Sequence, residues 1–399
     1  MRLASRLDDL GTETAFAVAA AAADWKARGN DVYPFHLGDL DFALAPHIVE
    51  AMDRAIADGR TGYCPGPGIP ELRAALAEDI GSRRGTAYTP ENVTVMTGGK
   101  PVITKFVQAV MNPGDEVLYP NPGFPIYESQ IEYHGGVGKA YRYLPTDSGF
   151  AIDLDQVASL ITDRTVAIIY NDLQNPISAE STDAEREAVA QLAVEHDLWV
   201  LSDEAYFEMR YEGESTSIAT LPGMAERTVI LYTFSKKFAM TGSRLGCAVA
   251  PPELGKVFGT MNTNDESCTT HYVQWAGIAA LQGTQEPVRE MLDTLRGRRD
   301  TACEIVNGTP GMAVEVPKST FYLFPDVTEA IEIVGARDLA DFAQRALHET
   351  GVSFCTRNHF GRPQPGEDRR YIRFAYSGLS QERIREGLTG MRQWIEAAR

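Results

Sequence analysis

Cysteine is scarce and scattered in this chain. Cys64, Cys247, Cys268, Cys303 and Cys355 lie far apart, with no Cys-x-x-Cys spacing. An odd, dispersed set argues against a disulfide framework or a cysteine zinc site and points to reduced thiols. Positive charge is also short, with 37 Lys and Arg against 55 Asp and Glu and a net charge of −18. No basic stripe exists to release counterions, so nucleic acid is not an expected partner. The acids are dispersed and read as a solvated surface. No apolar run approaches the length of a membrane span, and Met1–Arg6 lacks the apolar stretch of a signal peptide. The expected location is the cytoplasm. Repeats and low-complexity tracts are absent, and no metal is expected.

What is present suits a large globular chain. The hydrophobic fraction of 44% allows a sizeable core, and 399 residues could hold two to three average domains or one large α/β domain with a smaller companion. From Val93 to Val249 short apolar strands alternate with helical stretches. Val93–Met96 precedes a helix expected over Pro101–Met111 and Glu116–Tyr119 precedes another, while Val166–Tyr170, Leu198–Ser202 and Thr228–Tyr232 are near-continuous apolar runs. Such runs suit a sheet buried on both faces, and their alternation with helices predicts mainly parallel βαβ units. Helical periodicity dominates from Pro252 to about Ile305. The remainder reads as α+β, with strands at Phe321–Phe324 and Tyr371–Ala375 and helices near Ala336–Glu349 and Gln381–Ala397.

The most informative block is Ser235-Lys236-Lys237-Phe238-Ala239-Met240-Thr241-Gly242-Ser243-Arg244-Leu245-Gly246. Lys236 follows a strand end, sits among hydroxyls, and has an arginine eight residues on. A second cation favours the neutral, nucleophilic amine, so Lys236 is a candidate Schiff-base lysine. Thr233, Ser235 and Arg244 would supply donors to a phosphate dianion. The competing reading is a plain strand-turn-helix with a solvated lysine. The block resembles the pyridoxal 5′-phosphate (PLP) lysine motif of the class I/II aminotransferases, S-K-x-F-x-M-x-G-x-R-x-G.

Further blocks follow in that family's order. Ser202-Asp203-Glu204-Ala205-Tyr206 ends a strand, where open α/β sheets bind ligands. An aspartate there can pair with a protonated pyridine nitrogen or simply cap a helix. The resemblance to D-E-x-Y gives Asp203 the ring nitrogen and Tyr206 the ring hydroxyl. Asn171–Pro176 resembles N-x-x-x-N-P-T-G, implying that Asn175 meets both the ring hydroxyl and the substrate carboxylate; alone it reads as an Asn-Pro turn. Gly98, Gly99 and Lys100 join a strand to a helix, where glycines permit close backbone approach and a helix N-terminus offers N–H groups to phosphate. They resemble the family's G-G-K phosphate cup, although a lone Gly-Gly is more often a turn. Phe124 stands where the family stacks an aromatic on the pyridine, and otherwise would be core. Tyr63, in a Y-x-x-x-x-G-x-x-E-L-R-like stretch ending at Arg73, is implied to reach the phosphate of a neighbouring subunit. Arg373 matches the I-R-x-x-[YF] arginine that holds the substrate α-carboxylate, a role suited to its bidentate fork; elsewhere a strand arginine is commonly half of a surface pair. Gly38 resembles the substrate-side glycine of G-x-P-D-F.

The resemblance spans about Thr12 to the C-terminus. It implies a type I PLP fold, with a mostly parallel seven-stranded sheet in a large domain and a small α+β domain. The expected division is residues 1–45 as an arm and first part of the small domain, 46–290 as the large PLP-binding domain, and 291–399 as the small C-terminal domain. It also implies a homodimer with shared active sites. The expected activity is transfer of an amino group from an L-amino acid to a 2-oxo acid, with Lys236, Asp203 and Tyr206 as catalytic groups.

Departures fall on the substrate side. N-P-T-G reads Asn175-Pro176-Ile177-Ser178, G-x-P-D-F reads Gly38-Asp39-Leu40-Asp41-Phe42, and G-W-R-L-G carries Ser243. The segment Asn262–His271 stands where the family has a stretch from the partner subunit, and its Asp265 and Glu266 read either as pocket acids facing a polar or cationic substrate or, more simply, as solvated acids at a helix start. His359 reads as a pocket or an exposed loop residue. These departures keep β-elimination from a cysteine conjugate (C–S lyase chemistry), decarboxylation and oxidative deamination as alternative reactions on a bulky amino acid. A regulator with an aminotransferase-like domain is a third class, but Asp8–Gly29 is too short and too poor in basic residues for a DNA-binding domain.

Overall fold

The computed structural model describes residues 2–11, 14–147 and 149–399. Thr12, where the resemblance begins, lies outside them. Seven strands build the central sheet: β1 (Val93–Met96), β2 (Glu116–Pro120), β3 (Val137–Tyr141), β4 (Thr165–Tyr170), β5 (Trp199–Asp203), β6 (Thr228–Thr233) and β7 (Gly246–Val249). Their order is β1-β7-β6-β5-β4-β2-β3. Only β7 runs against its neighbours, pairing antiparallel with both β1 and β6. The sheet is therefore mostly parallel, as the apolar runs predict.

Alternation along β6 shows why these runs are apolar throughout. Ile230 and Tyr232 pack with Leu72, Leu76 and Ile80 of the helix Pro70–Arg84 on one face. Val229 and Leu231 pack with Phe106 and Val107 of the helix Lys100–Val110 on the other. Both faces of the strand are covered, so neither set of side chains meets water. The flanking helices start and stop on local signals. Pro70 opens its helix, and Gly85 closes it in the left-handed region at φ 67°. Thr182 and Glu185 form a capping box at the start of Asp183–Glu195.

A second core gathers Phe35, Phe321, Phe374 and Ile384 around a three-stranded sheet. Its strands are β8 (Tyr322–Leu323), β9 (Cys355–Thr356) and β10 (Ile372–Ala375), in the order β8-β10-β9. The helices Glu286–Asn307 and Gln381–Ala397 contribute to the same core. Residues Tyr33–Pro34 pair in parallel with Val352–Ser353, tying the start of the chain to this unit. Among the described residues no helix is long and apolar enough to cross a membrane.

The parallel strands β1, β2, β4, β5 and β6 end on one edge of the large sheet. Gly98, Phe124, Asn171, Asp203 and Thr233 all fall at or just beyond those carboxyl ends. That edge is where an open α/β sheet presents loops and helix N-termini to a ligand.

Candidate active site

A cleft of about 500 Å³ opens along this edge, between the large sheet and the three-stranded sheet. It is lined by Gly38, Gly99, Lys100, Phe124, Asn175, Asp203, Tyr206, Thr233, Ser235, Lys236, Arg244 and Arg373. Residues from seven separate sequence blocks thus meet in one space.

At one end hydroxyl and guanidinium donors gather. The Thr233 hydroxyl donates to the Ser235 hydroxyl at 2.9 Å, and the Ser235 amide donates to Thr233 Oγ1 at 3.2 Å. Arg244 donates from Nη1 to the Thr241 carbonyl at 2.7 Å. Gly98, at φ 98°, lies so close to Arg244 that a Cβ there would sit 2.3 Å from Nη2. Both the positive φ and this contact require glycine. Gly99 caps the helix Lys100–Val110, whose first amide groups have no intrahelical acceptor.

At the other end lies a buried carboxylate. Asp203 accepts from the Tyr127 hydroxyl at 2.5 Å and from the Ala205 amide at 3.1 Å. Burial pushes its pKa up, against the hydrogen bonds from Tyr127 and Ala205. Asn171 holds the backbone, donating to the Asp203 carbonyl at 2.9 Å. Phe124 meets Tyr127 edge to face, with ring centroids 5.8 Å apart.

Lys236 projects between these ends, its ammonium donating to the Gly38 carbonyl at 3.1 Å. It also lies 5.8 Å from the Tyr206 ring centroid. The Tyr206 and Tyr322 hydroxyls are 2.7 Å apart, and burial followed by this partner holds the Tyr206 phenol protonated far above its ordinary range. Gly38 is fixed by close approach, since a Cβ there would strike the Tyr322 hydroxyl at 2.3 Å.

Arg373 sits on β10 and is buried, with 5% of its surface exposed. It donates from Nη1 to Asn175 Oδ1 at 3.0 Å and from Nη2 to the His36 carbonyl at 2.8 Å. Its guanidinium carbon lies 4.5 Å from the Tyr322 ring centroid and 4.7 Å from that of Phe360. Nε is buried without a hydrogen-bond partner. His36 is 3% exposed, and its pKa is lowered to about 4, by burial first and then by the Arg373 charge.

Several sequence candidates lie elsewhere. Tyr63 is 89% exposed and outside the cleft. Asp265 and Glu266 end a helix rather than start one, and both pair with the buried Lys105 ammonium, at 3.1 and 2.9 Å. They lie outside this chain's own cleft and are paired with Lys105 rather than freely solvated. His271 faces the Gly62 carbonyl at 3.2 Å, whereas His359 does line the cleft. Tyr127, Tyr322 and His36 are cleft residues that the sequence blocks left unassigned. Tyr127 lies within the Asn121–Tyr127 stretch that carries Phe124, so its position was available. His36 and Tyr322 gave no comparable signal.

The family model for aminotransferase class I and II matches residues 30–390. A probable aspartate/prephenate aminotransferase of Aquifex aeolicus is 34% identical, covering 99% of this chain and 98% of its own. The aspartate aminotransferase of Bacillus subtilis is 31% identical, covering 99% of each. Among solved structures, the Thermus thermophilus aspartate aminotransferase with maleate matches with a TM-score of 0.90 at 34% identity, covering 99% of this chain and 100% of that one.

Proposed function

This chain belongs to the class I and II aminotransferases, enzymes that move an amino group, and on that premise we propose that Lys236 carries PLP in the cleft. The observation that carries the reading is the polarity of the cleft along its length. Hydroxyls, a guanidinium and a helix N-terminus at one end suit a phosphate dianion, and the buried Asp203 at the other suits a protonated ring nitrogen. The glycine-only approach of Gly98 to Arg244 leaves the cup open to an anion.

PLP, when bound, supplies the electron sink for bonds at the substrate α-carbon. The chain's own residues do the rest. Asp203 pairs with the ring nitrogen, and the Tyr127 hydroxyl and Ala205 amide fix its orientation. Tyr206 and Asn175 address the ring hydroxyl, and Phe124 covers a ring face. Gly98, Gly99, Thr233, Ser235 and Arg244 hold the phosphate. Arg373, aimed by Asn175 and the His36 carbonyl, receives the α-carboxylate. The freed Lys236 amine takes the proton from the α-carbon and returns it.

We assign an acidic amino acid as donor and a 2-oxo acid as acceptor. The arginines lining the cleft, Arg244 and Arg373, are already assigned, but Lys100 lines the same cleft, its ammonium 5.7 Å from the Phe124 ring centroid. The relatives named aspartate aminotransferase support the same class. They also favour transfer over elimination, decarboxylation or oxidative deamination. The active unit in this reading is a cytoplasmic homodimer whose exposed Tyr63 reaches the neighbour's phosphate. The proposed cofactor domain is 46–290, with 1–45 and 291–399 forming the smaller unit.

Borohydride reduction followed by peptide mapping tests the cofactor site, and label on Lys237 or Lys100 refutes it. Separate assays for keto acid, ammonia, carbon dioxide and peroxide test the reaction. Turnover that needs an amino acceptor and releases no ammonia is the expected result.

A further inference from the structure

Asp203 and Lys236 line the cleft, but their immediate successors do not. Glu204 and Lys237 are each 4% exposed and turn away from it. Both enter one buried ionic cluster on the helix Pro70–Arg84. Arg84 donates from Nε to Glu204 Oε2 at 2.6 Å, and Ser202 donates to the other Glu204 oxygen at 2.9 Å. Lys237 Nζ stands 4.0 Å from Asp79 Oδ2, and Arg84 Nη1 stands 3.7 Å from Glu208 Oε1. Arg83 closes the set, 2.9 Å from Asp79 and 4.0 Å from Glu208. Three cations face three carboxylates.

The cluster is not saturated. Lys237 Nζ, Asp79 Oδ2, Glu208 Oε1, Arg84 Nη2 and the nearby Tyr232 hydroxyl are all buried without a hydrogen-bond partner. Burial pushes the Lys237 ammonium down, while Glu208 and Asp79 pull it up. Buried groups of this kind normally find partners, and separations near 4 Å leave room for a shared water. A buried charge network of balanced sign contributes little net stability, because desolvation offsets the attraction. What it does supply is geometry. Its two ends are covalently attached to the two residues whose mutual placement the chemistry needs.

We propose that Glu204 and Lys237 are positioning residues, which fix Asp203 and Lys236 relative to each other through the network of Asp79, Arg84 and Glu208. The inference rests on the cofactor reading above. In it, the orphaned atoms are joined by ordered water, and the helix Pro70–Arg84 is the common anchor.

The test uses the PLP-loaded enzyme and the variants Lys237→Met, Glu208→Gln and their combination. Lys237→Met keeps the stem and removes the charge. It should lower kcat about 10- to 100-fold, the scale of misplacing a catalytic group, with KM changed less than about twofold. The ratio of the bound cofactor's visible absorption bands at fixed pH should change as well. The combined variant removes both signs together and should lose less than the product of the single losses. A Lys237→Met enzyme with wild-type kcat per bound cofactor and a wild-type spectrum overturns the proposal, even if the apoprotein melts at lower temperature. So does a combined variant whose losses simply multiply. If Lys237→Met fails to fold, Glu208→Gln is judged by the same kcat and spectral criteria. Cofactor mapped away from Lys236 in the wild type would instead defeat the cofactor reading, so the two failures are distinguishable.

Discussion

Replacing Arg373 by alanine should separate recognition of the substrate carboxylate from everything else in the cleft. The guanidinium is held by Asn175 Oδ1 at 3.0 Å and the His36 carbonyl at 2.8 Å, and lies between the Tyr322 and Phe360 rings. It is pre-aimed, so little rotamer entropy is lost when substrate arrives. Removing one partner of a desolvated, charge-assisted pair costs about 2–5 kcal/mol, equivalent to about 30- to 5,000-fold in kcat/KM. Arg373→Lys keeps the charge and loses the fork, and should fall between alanine and wild type. The assay compares amino acids with the corresponding decarboxylated amines, which lack the group being recognised. Wild type should prefer the acids strongly and Arg373→Ala should not. If the variant retained the wild-type ratio between the two series, Arg373 would not be the carboxylate site.

Four further outcomes are expected. Asp203→Asn should retain PLP, because the phosphate cup is untouched, and lose about 10²–10³-fold in kcat, the scale of one preorganised electrostatic partner; wild-type kcat would make Asp203 structural. Gly98→Ala should weaken PLP binding about tenfold or more, near 1.4 kcal/mol, by strain at φ 98° and displacement of Arg244, and an unchanged Kd in titrations of the apoprotein would contradict it. His36 is neutral in the fold but charged in the unfolded chain between pH 6.5 and about 4. Its contribution, up to about 3 kcal/mol, is therefore present above pH 6.5 and lost as pH falls through that window; urea unfolding should show this slope in wild type and a flatter one in His36→Gln, and equal slopes would refute it. Mixing inactive Lys236→Ala with inactive Tyr63→Ala should restore part of the activity, since a heterodimer has one site free of both changes; no rescue in mixtures shown to contain heterodimer would place each pocket in one chain.

The large sheet was legible because its physics is local. β4 and β6 are apolar on both faces, which only a fully covered strand tolerates, and the residues that follow them carry the family's motifs in order. The small unit was less clear. Tyr371–Ala375 reads as a strand, but its order is set by pairings with Tyr322 and Cys355 that no window of sequence contains. The same limit governed the site. Lys236 and Asp203 stand in dense motifs, whereas His36 acts through a carbonyl and Tyr322 through a hydroxyl on a two-residue strand. The pairing of Asp265 and Glu266 was hidden for a related reason. Their partner, Lys105, lies on a distant helix and looks like a solvated surface residue until that helix is packed.

The order in which the chain leaves the ribosome gives the pairing of Tyr33–Pro34 with Val352–Ser353 a temporal meaning. The central sheet is complete once β7 has emerged, because β7 seals the gap between β1 and β6. Residues Tyr33–Pro34 have no such early partner. His36 offers its carbonyl to an arginine 337 positions later, so that contact cannot form until almost the entire chain has been made. The proposed phosphate cup can therefore form during synthesis, while the half of the cleft that holds Arg373 is assembled only after it. A truncation just beyond residue 290 would retain all seven strands of the sheet and lack the arginine proposed to bind the substrate carboxylate.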